Sequence, residues 1–236
     1  MSRPEPDWRV YPPLASDSGE RRWAGSVPEW LVDIRRFRGE MLYANGLRPA
    51  YRRLDGSFRD DDPCDPFAYH AIATLDDELV ATMRVVPLAA TDSGVCERLF
   101  GTARLEQVLT DLGVDRAQTA EGSGWAVHPG RRGAAMGTRS LAAGPALGHE
   151  LGLRMMIGAV GTRYGALYRV LSAGYQRAAG FVPVEVSGLA DEVQLVHATL
   201  DDLRPSFVAR VKQLTDLLKW ADCPPTRVSR MTYRCS

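Results

Sequence analysis

Apolar residues recur along the chain with two different spacings, and these spacings separate predicted helices from predicted strands. Between residues 30 and 42 an apolar side chain returns every three or four positions, which is the period of an α-helix. The segment Ser26-Val27-Pro28-Glu29 is a typical helix start with Ser as the N-cap, and Asn45-Gly46 is a typical helix end. The opposite face of this predicted helix carries Arg35, Arg36 and Arg38, and we expect such arginines to be solvated.

The remaining chain alternates between apolar runs typical of strands and segments typical of helices. Predicted strands cover residues 68–74, 79–87, 155–160, 181–186 and 193–200, with a turn at residues 76–78. Predicted helices lie within residues 93–112, 164–173 and 201–218. This order indicates a mixed α/β domain built around a sheet. We expect an irregular N-terminal arm over residues 1–26, one domain over residues 27–220 and a tail over residues 221–236.

One stretch, Thr119–Gly137, combines a strand, a Gly-rich turn and a predicted helix N-terminus. Such a turn directs backbone N–H groups and the positive end of a helix dipole at one point, which suits an anion. Gly133 and Gly137 would let a phosphate approach the backbone, and Arg131 and Arg132 add positive charge. The alternative is that these small residues serve packing alone. The stretch contains neither a P-loop pattern nor a dinucleotide fingerprint.

Composition narrows the possible partners. The chain has 236 residues with 29 basic and 29 acidic side chains, so it has no electrostatic footprint for nucleic acid or an anionic membrane. It has no run of 18 apolar residues, no Cys-x-x-Cys pair and no His-x-x-x-His pair. We therefore expect a cytoplasmic protein that binds neither metal nor membrane.

The segment from Arg132 to Gly137, RGAAMG, resembles the Arg/Gln-x-x-Gly-x-Gly/Ala loop of the GNAT superfamily of N-acyltransferases, with Ala135 in place of a glycine. The resemblance implies a GNAT-like fold, with helices on both faces of a mixed, mainly antiparallel sheet. It also implies that the loop holds the phosphate and pantetheine parts of an acyl donor. The implied donor site consists of Trp125, Ala126, Val127, Arg131, Arg132, Gly133, Ala135 and Gly137.

Three further segments resemble one branch of that superfamily, the acyl-homoserine-lactone (autoinducer) synthases and N-acyl amino acid synthases. They are DPCDPFAY at residues 62–69, TMRVVPL at residues 82–88 and EGSGWAV at residues 121–127. Gly124 stands where the branch commonly has arginine, which argues against homoserine lactone synthesis and leaves general N-acyl transfer. The matches make Asp62, Asp65, Arg84 and Ser123 candidate substrate-binding residues.

Amide formation requires that an amine lose a proton as it attacks a thioester. Glu121, at the start of a strand, is the candidate base, and the alternative is a surface glutamate. Backbone amides at residues 125–127 would polarise the thioester carbonyl. Tyr168 or Tyr164 could protonate the leaving thiolate, although a packing tyrosine is the simpler interpretation.

The acidic segment before the first strand permits three interpretations. It could be a solvated loop, as its charges and prolines suggest. Alternatively, Asp62 and Asp65 could attract a cationic amine, or they could hold Arg35 or Arg38 and so form a cleft wall.

The sequence leaves several functions open. The first is an N-acyltransferase that uses acyl-CoA or an acyl-carrier-protein thioester and a small amine or amino-acid-like acceptor, without a metal. The others are an autoinducer-type synthase and a non-catalytic ligand-binding protein on the same scaffold.

Overall fold

A nine-stranded mixed sheet forms the centre of the protein. The computed structural model describes residues 5–14, 26–46, 48–131, 136–163 and 165–221. The strands are β1 (Asp7–Tyr11), β2 (Tyr69–Leu75), β3 (Glu78–Pro87), β4 (Thr119–Val127), β5 (Met155–Gly161), β6 (Gln176–Arg177), β7 (Val184–Glu185), β8 (Glu192–Thr199) and β9 (Leu218–Trp220). Their spatial order is β6-β8-β5-β4-β3-β2-β1-β9, with β7 also paired to β8. Among the strands of the described residues, only the β4–β5 and β1–β9 pairs are parallel.

Helices cover both faces of this sheet. They are α1 (Glu29–Ala44), α2 (Val95–Phe100), α3 (Thr102–Asp111), α4 (Met136–Glu150), α5 (Ala166–Ala173) and α6 (Pro205–Thr215). Successive strand residues point to opposite faces, so Met156 packs with α4, α5 and α6, whereas Met155 and Ile157 pack with α2 and α3. Helix α1 covers the same face as α2 and α3, against β1, β2 and β3. The predicted fold class is therefore confirmed.

The two ends of the described chain depart from the sequence-based prediction. The arm expected to be irregular contains β1, whose Trp8 and Val10 are fully buried in the core. The predicted final helix ends at Thr215, and the chain then adds β9 alongside β1. The remainder of the predicted tail, residues 222–236, lies outside the described residues.

Other boundaries differ for local reasons. The N-cap of α1 is Pro28 rather than Ser26. The helix predicted within residues 93–112 is divided into α2 and α3 by Gly101, whose φ of 86° is a left-handed value that interrupts a helix. The strand predicted at residues 181–186 is reduced to the two residues of β7.

Strand β4 has two irregularities that create the site. Thr82 pairs with Ala126 and Arg84 with Ser123, so Gly124 and Trp125 oppose a single residue of β3 in a β-bulge. Gly124 has a φ of 59°, which a glycine adopts without strain. In addition, β4 and β5 pair at only three positions, where residues Thr119–Glu121 of β4 lie opposite residues Met155–Ile157 of β5. Beyond those residues the two strands no longer pair, which leaves a gap in the sheet.

No helix in the described part of the chain has both the length and the apolar character needed to cross a bilayer.

Candidate functional site

A cavity of about 200 Å³ occupies the gap between β4 and β5. On one face of the sheet its walls are apolar and include Met83 of β3, Leu141 of α4, Val170 of α5 and Val196 of β8, together with Tyr175 between α5 and β6. On the other face its walls carry the polar side chains, which include Arg48, Tyr51, Asp60, Asp62, Arg84 and Ser123, beside apolar ones such as Leu42, Val95 and Leu189. Because side chains from both faces line it, the cavity passes through the sheet. A small molecule could therefore extend from an apolar compartment into a polar one.

Asp65 is the centre of the polar side. Its carboxylate is fully buried and accepts hydrogen bonds from Arg35 Nε at 2.7 Å, Arg38 Nη2 at 2.8 Å and Arg84 Nη1 at 2.8 Å. The short 3₁₀ turn Asp65–Phe67, stiffened by Pro66, holds the carboxylate in this position. Burial alone would raise the pKa of Asp65, but Arg38 and Arg84 outweigh it and hold that pKa well below its usual range.

The neighbouring carboxylates are also paired. Asp62 accepts from Arg84 Nη2 at 3.0 Å and from Arg98 Nη2 at 2.9 Å. Burial opposes ionisation, yet these two guanidinium groups lower the pKa of Asp62 to about 2. Asp60 lies 2.9 Å from Arg38 Nε. Asp60 and Asp62 are therefore already engaged by arginines.

These contacts settle two of the sequence-based expectations. Arg35 and Arg38 are buried rather than solvated, and only Arg36 remains substantially exposed. The acidic segment is not a solvated loop at Asp65. Of the two functional interpretations, its contacts match the one in which Asp65 holds the arginines of α1. They give no free carboxylate with which Asp65 could attract a cationic amine.

Arg84 connects this cluster to β4. Its Nε donates to Ser123 Oγ at 3.0 Å while its other nitrogens hold Asp62 and Asp65. Arg84 and Ser123 both line the cavity, as does Asp62. The structure thus brings together all four candidate substrate-binding residues, although Asp65 lies behind the wall rather than on it.

The glycine at position 124 has a steric explanation. A Cβ atom there would lie 3.1 Å from Arg38 Nη1 and 3.2 Å from Arg84 Cβ. Arg38 reaches this place from α1 and is fixed by Asp60 and Asp65. The guanidinium of Arg38 therefore occupies the space beside residue 124, where the resembling branch commonly carries an arginine of its own.

Glu121 is fully buried on the α2 side of β4, so it is not a surface glutamate. Its Oε2 accepts a hydrogen bond from the backbone N–H of Cys96 at 2.7 Å. Its Oε1 has no hydrogen-bond partner among the described residues. The side chain does not line the cavity, but Ser123, two residues along the same strand face, does. A buried carboxylate oxygen without a hydrogen-bond partner is unusual and requires an explanation.

The predicted donor-site residues have different positions. Trp125 lines the cavity and donates from Nε1 to Ser140 Oγ at 2.8 Å, whereas Ala126 and Val127 are buried and paired with β3. Gly137 lies in the first turn of α4. Arg132, Gly133 and Ala135 lie outside the described residues, as does the side chain of Arg131.

The candidate acid Tyr168 and the candidate base Glu121 have different environments. Tyr168 lies on α5 with 76% of its surface exposed, whereas Glu121 has none, and Tyr168 does not line the cavity. Tyr164, the other candidate, lies outside the described residues.

Some residues of the site carry no signal in the sequence. Arg48 and Tyr51 line the cavity from an irregular segment after α1, and Arg98 reaches Asp62 from the short helix α2. No periodic pattern marks them. Within the described residues, no group of three or more His, Cys, Asp and Glu side chains is arranged to hold a metal ion.

Comparison with solved structures identifies similar folds. The CoA-dependent acyl-homoserine lactone synthase BjaI matches with a TM-score of 0.63 and 16% identity, over 95% of this chain and 97% of that one. TofI matches with a TM-score of 0.57 and 18% identity, over 82% and 96% of the two chains. The AHL synthase LasI matches with a TM-score of 0.51 and 12% identity, over 74% and 85%.

These matches confirm, at the level of the fold, the resemblance to the autoinducer synthases. No protein-family model matches the chain, and no curated protein matches it by sequence.

Proposed function

We propose that this protein is an N-acyltransferase that moves an acyl group from a pantetheine thioester to a small amine or amino-acid-like acceptor. The observation that carries the proposal is the cavity through the sheet, with an apolar compartment on one face and a polar one on the other. An acyl chain suits the first and an amine with polar groups suits the second. The similar fold of BjaI, whose structures are described with isopentyl-CoA, SAM and MTA, supports acyl-CoA as the donor.

The gap between β4 and β5 suits the arm of such a donor. Where the strands no longer pair, the facing edges of both leave backbone N–H and C=O groups without ladder partners. The amide groups of a pantetheine arm can hydrogen-bond to these edges as an added strand would. A thioester carbonyl near Gly122–Trp125 would then meet a backbone N–H group that stabilises the developing oxyanion. The predicted phosphate loop at residues 131–137 stays a prediction.

In the proposed reaction the amine nitrogen attacks the thioester carbon, the C–N bond forms, and the C–S bond breaks. The amine proton passes to Glu121, and the thiolate leaves and takes up a proton from solvent or a nearby acid. Because Glu121 lies behind the cavity wall, a water molecule or the Ser123 hydroxyl has to carry the proton to Oε1. The assignment is supported by the burial of Glu121 and by its unused oxygen.

Release of free thiol tests the proposal. The full-length protein would be incubated with acyl-CoA of graded chain length, or the same acyl groups on a carrier protein, together with pooled amines and amino acids. We expect thiol release that requires an acceptor and yields an N-acyl product by mass spectrometry. Donor binding without thiol release under any of these conditions would instead indicate a non-catalytic ligand-binding protein.

One observation favours an autoinducer-type synthase as the second candidate. The guanidinium of Arg38 lies beside Gly124, so the departure at that position no longer argues against lactone formation. A parallel incubation with S-adenosylmethionine distinguishes the two functions. An autoinducer synthase forms an acyl-homoserine lactone and releases methylthioadenosine, whereas a general N-acyltransferase forms neither.

A further inference from the structure

The acidic groups of the polar compartment are already neutralised. Asp60 and Asp62 both line the cavity, and each lies within 3.0 Å of an arginine nitrogen, Asp60 with Arg38 and Asp62 with Arg84 and Arg98. These ion pairs are largely shielded from solvent. Removing one partner of a buried ion pair is strongly unfavourable, because the other charge is then left buried without a partner. A positively charged part of a ligand would have to compete with buried guanidinium groups for these carboxylates.

The basic groups of the cavity are not all matched. Of the three arginines that line it, Arg84 is held by Asp62 and Asp65, and Arg163 lies 3.8 Å from Asp191. Within the described part of the chain, no carboxylate pairs with Arg48. Its guanidinium instead lies over the ring of Tyr51, with Cζ 5.9 Å from the ring centroid. Stacking on a ring leaves the edge of the guanidinium, with its N–H donors, free for a ligand.

Tyr51, the neighbour of Arg48, also favours the binding of an anion at this place. Burial and the adjacent carboxylate of Asp60 raise the pKa of Tyr51, so its phenol stays neutral and does not compensate the charge of Arg48. The polar compartment therefore offers an unpaired cation and no unpaired carboxylate on its described walls.

We propose that Arg48 is a specificity-determining residue that binds the carboxylate of the acceptor, so that the acceptor is an amine that also carries an acidic group. This inference rests on the proposed function and narrows it. A planar guanidinium binds a carboxylate through two parallel N–H···O bonds, which would orient the acceptor as well as hold it. Free amino acids and larger compounds with an amino acid head group, such as S-adenosylmethionine, share this chemistry.

Matched acceptors test the inference. Each amino acid, and S-adenosylmethionine as a separate arm, would be compared with its carboxamide by kcat/KM at saturating acyl-CoA. The variants are Arg48→Gln, Arg48→Lys and, as a control, Arg52→Gln, because Arg52 is exposed on the same segment and does not line the cavity. Loss of a charge-assisted bond corresponds to roughly a 10- to 100-fold effect.

We expect the parent to prefer the acid over its amide, and Arg48→Gln to raise KM for the acid by roughly 10- to 100-fold with little change for the amide. Arg48→Lys should retain part of the preference, and Arg52→Gln all of it. Equal use of acid and amide by the parent, or an equal loss for both in Arg48→Gln, would overturn the inference and leave acyl transfer standing.

A binding measurement separates the inference from the proposed function. N-hexanoyl amino acids and their carboxamides would be titrated calorimetrically into the parent and the Arg48→Gln protein. If no amine is acylated, the proposed function fails, yet acid-selective binding that depends on Arg48 would still support the carboxylate site. If neither protein distinguishes acid from amide, or neither binds any of these compounds, the carboxylate site is rejected.

Discussion

At the scale of single residues, two buried carboxylates, Asp65 and Glu121, distinguish the site from the exposed charges of the surface. Asp65 receives three arginines, and Glu121 receives one backbone N–H and has an oxygen to spare. The two carboxylates lie on the same side of the sheet but differ in how many of their oxygens already accept hydrogen bonds. The Asp65 carboxylate is fully occupied by arginines, whereas Oε1 of Glu121 has no hydrogen-bond partner among the described residues.

The difference makes Glu121 the sharper mutational target. Glu121→Gln preserves the shape and can still accept from the Cys96 N–H, but it removes the basic oxygen. We expect acyl transfer to fall by roughly 10²–10⁴ while donor affinity is unchanged. Glu97→Gln is the matched control, because Glu97 is also buried but its oxygens accept from Gly94 N–H and Arg116. Equal activity of the Glu121→Gln protein and the parent across pH 6–9 would remove Glu121 from the mechanism.

Asp65 should matter for stability before it matters for kinetics. Asp65→Asn removes the charge that Arg35, Arg38 and Arg84 share, and leaves guanidinium groups buried with fewer partners. We expect the free energy of unfolding to decrease by about 3–5 kcal/mol in urea titrations. In the control Asp61→Asn the side chain is 36% exposed, and the decrease should be below about 1 kcal/mol. Similar losses for the two variants would show that the cluster is no more than a set of surface ion pairs.

At the scale of elements, the bulge in β4 joins the sheet to helix α1. Gly124 adopts a left-handed φ and leaves room for Arg38, so backbone conformation and side-chain packing both require glycine there. This is why a single small residue connects the geometry of the strand to the arginine cluster.

Two glycine variants separate the two requirements. Gly56 also has a left-handed φ, at 80°, but a Cβ there would meet nothing within 4 Å. Gly56→Ala should therefore lower the free energy of unfolding only by the conformational cost, about 1–2 kcal/mol. Gly124→Ala should lower the free energy of unfolding by clearly more, because Asp60 and Asp65 hold Arg38 in place beside the new methyl group. Equal losses in denaturant titrations would mean that crowding at residue 124 contributes nothing.

Sequence reasoning predicts well the elements that have a clear pattern of apolar residues of their own. The periodic helix α1, the hairpin of β2 and β3, and strands β5 and β8 lie close to their predicted positions. Strands β1, β6 and β9 have two to five residues each and exist because distant strands pair with them, which no local pattern records. For the same reason, the sequence predicts that Arg35 and Arg38 are surface residues, because their contacts with the distant residue Asp65 leave no local pattern.

At the scale of the whole molecule, stability should depend on pH through His70. This side chain is fully buried between Trp30 and the carbonyl of Asp65, to which its Nε2 donates at 2.9 Å. Burial lowers the pKa of His70 to about 4, despite the opposing effect of Asp65. The unfolded chain, with a histidine pKa of 6.5, therefore binds a proton between pH 6.5 and 4 that the folded chain does not.

Stability should accordingly be complete above pH 6.5 and decrease as the pH falls toward 4, by about 3 kcal/mol. The measurement is the free energy of unfolding by urea at half-unit pH steps. His70→Gln keeps a donor toward the Asp65 carbonyl and removes the titration, so its profile should be flatter. The pKa of His197 is also lowered by burial and contributes in both proteins. Parallel profiles for the parent and His70→Gln would assign the slope elsewhere.

The short ladder between β4 and β5 also has a mechanical consequence. The sheet is continuous, yet the β4–β5 ladder that joins its two parts has three residue pairs. One part contains β1, β2, β3, β4 and β9, and the other contains β5, β6, β7 and β8. The two parts can therefore behave as separate cooperative units with different opening free energies. A ligand bound along the gap would contact both parts and hold them together. Amide hydrogen exchange should slow on donor binding throughout β5 and β8, including residues such as Met155 and Ala198 that do not line the cavity.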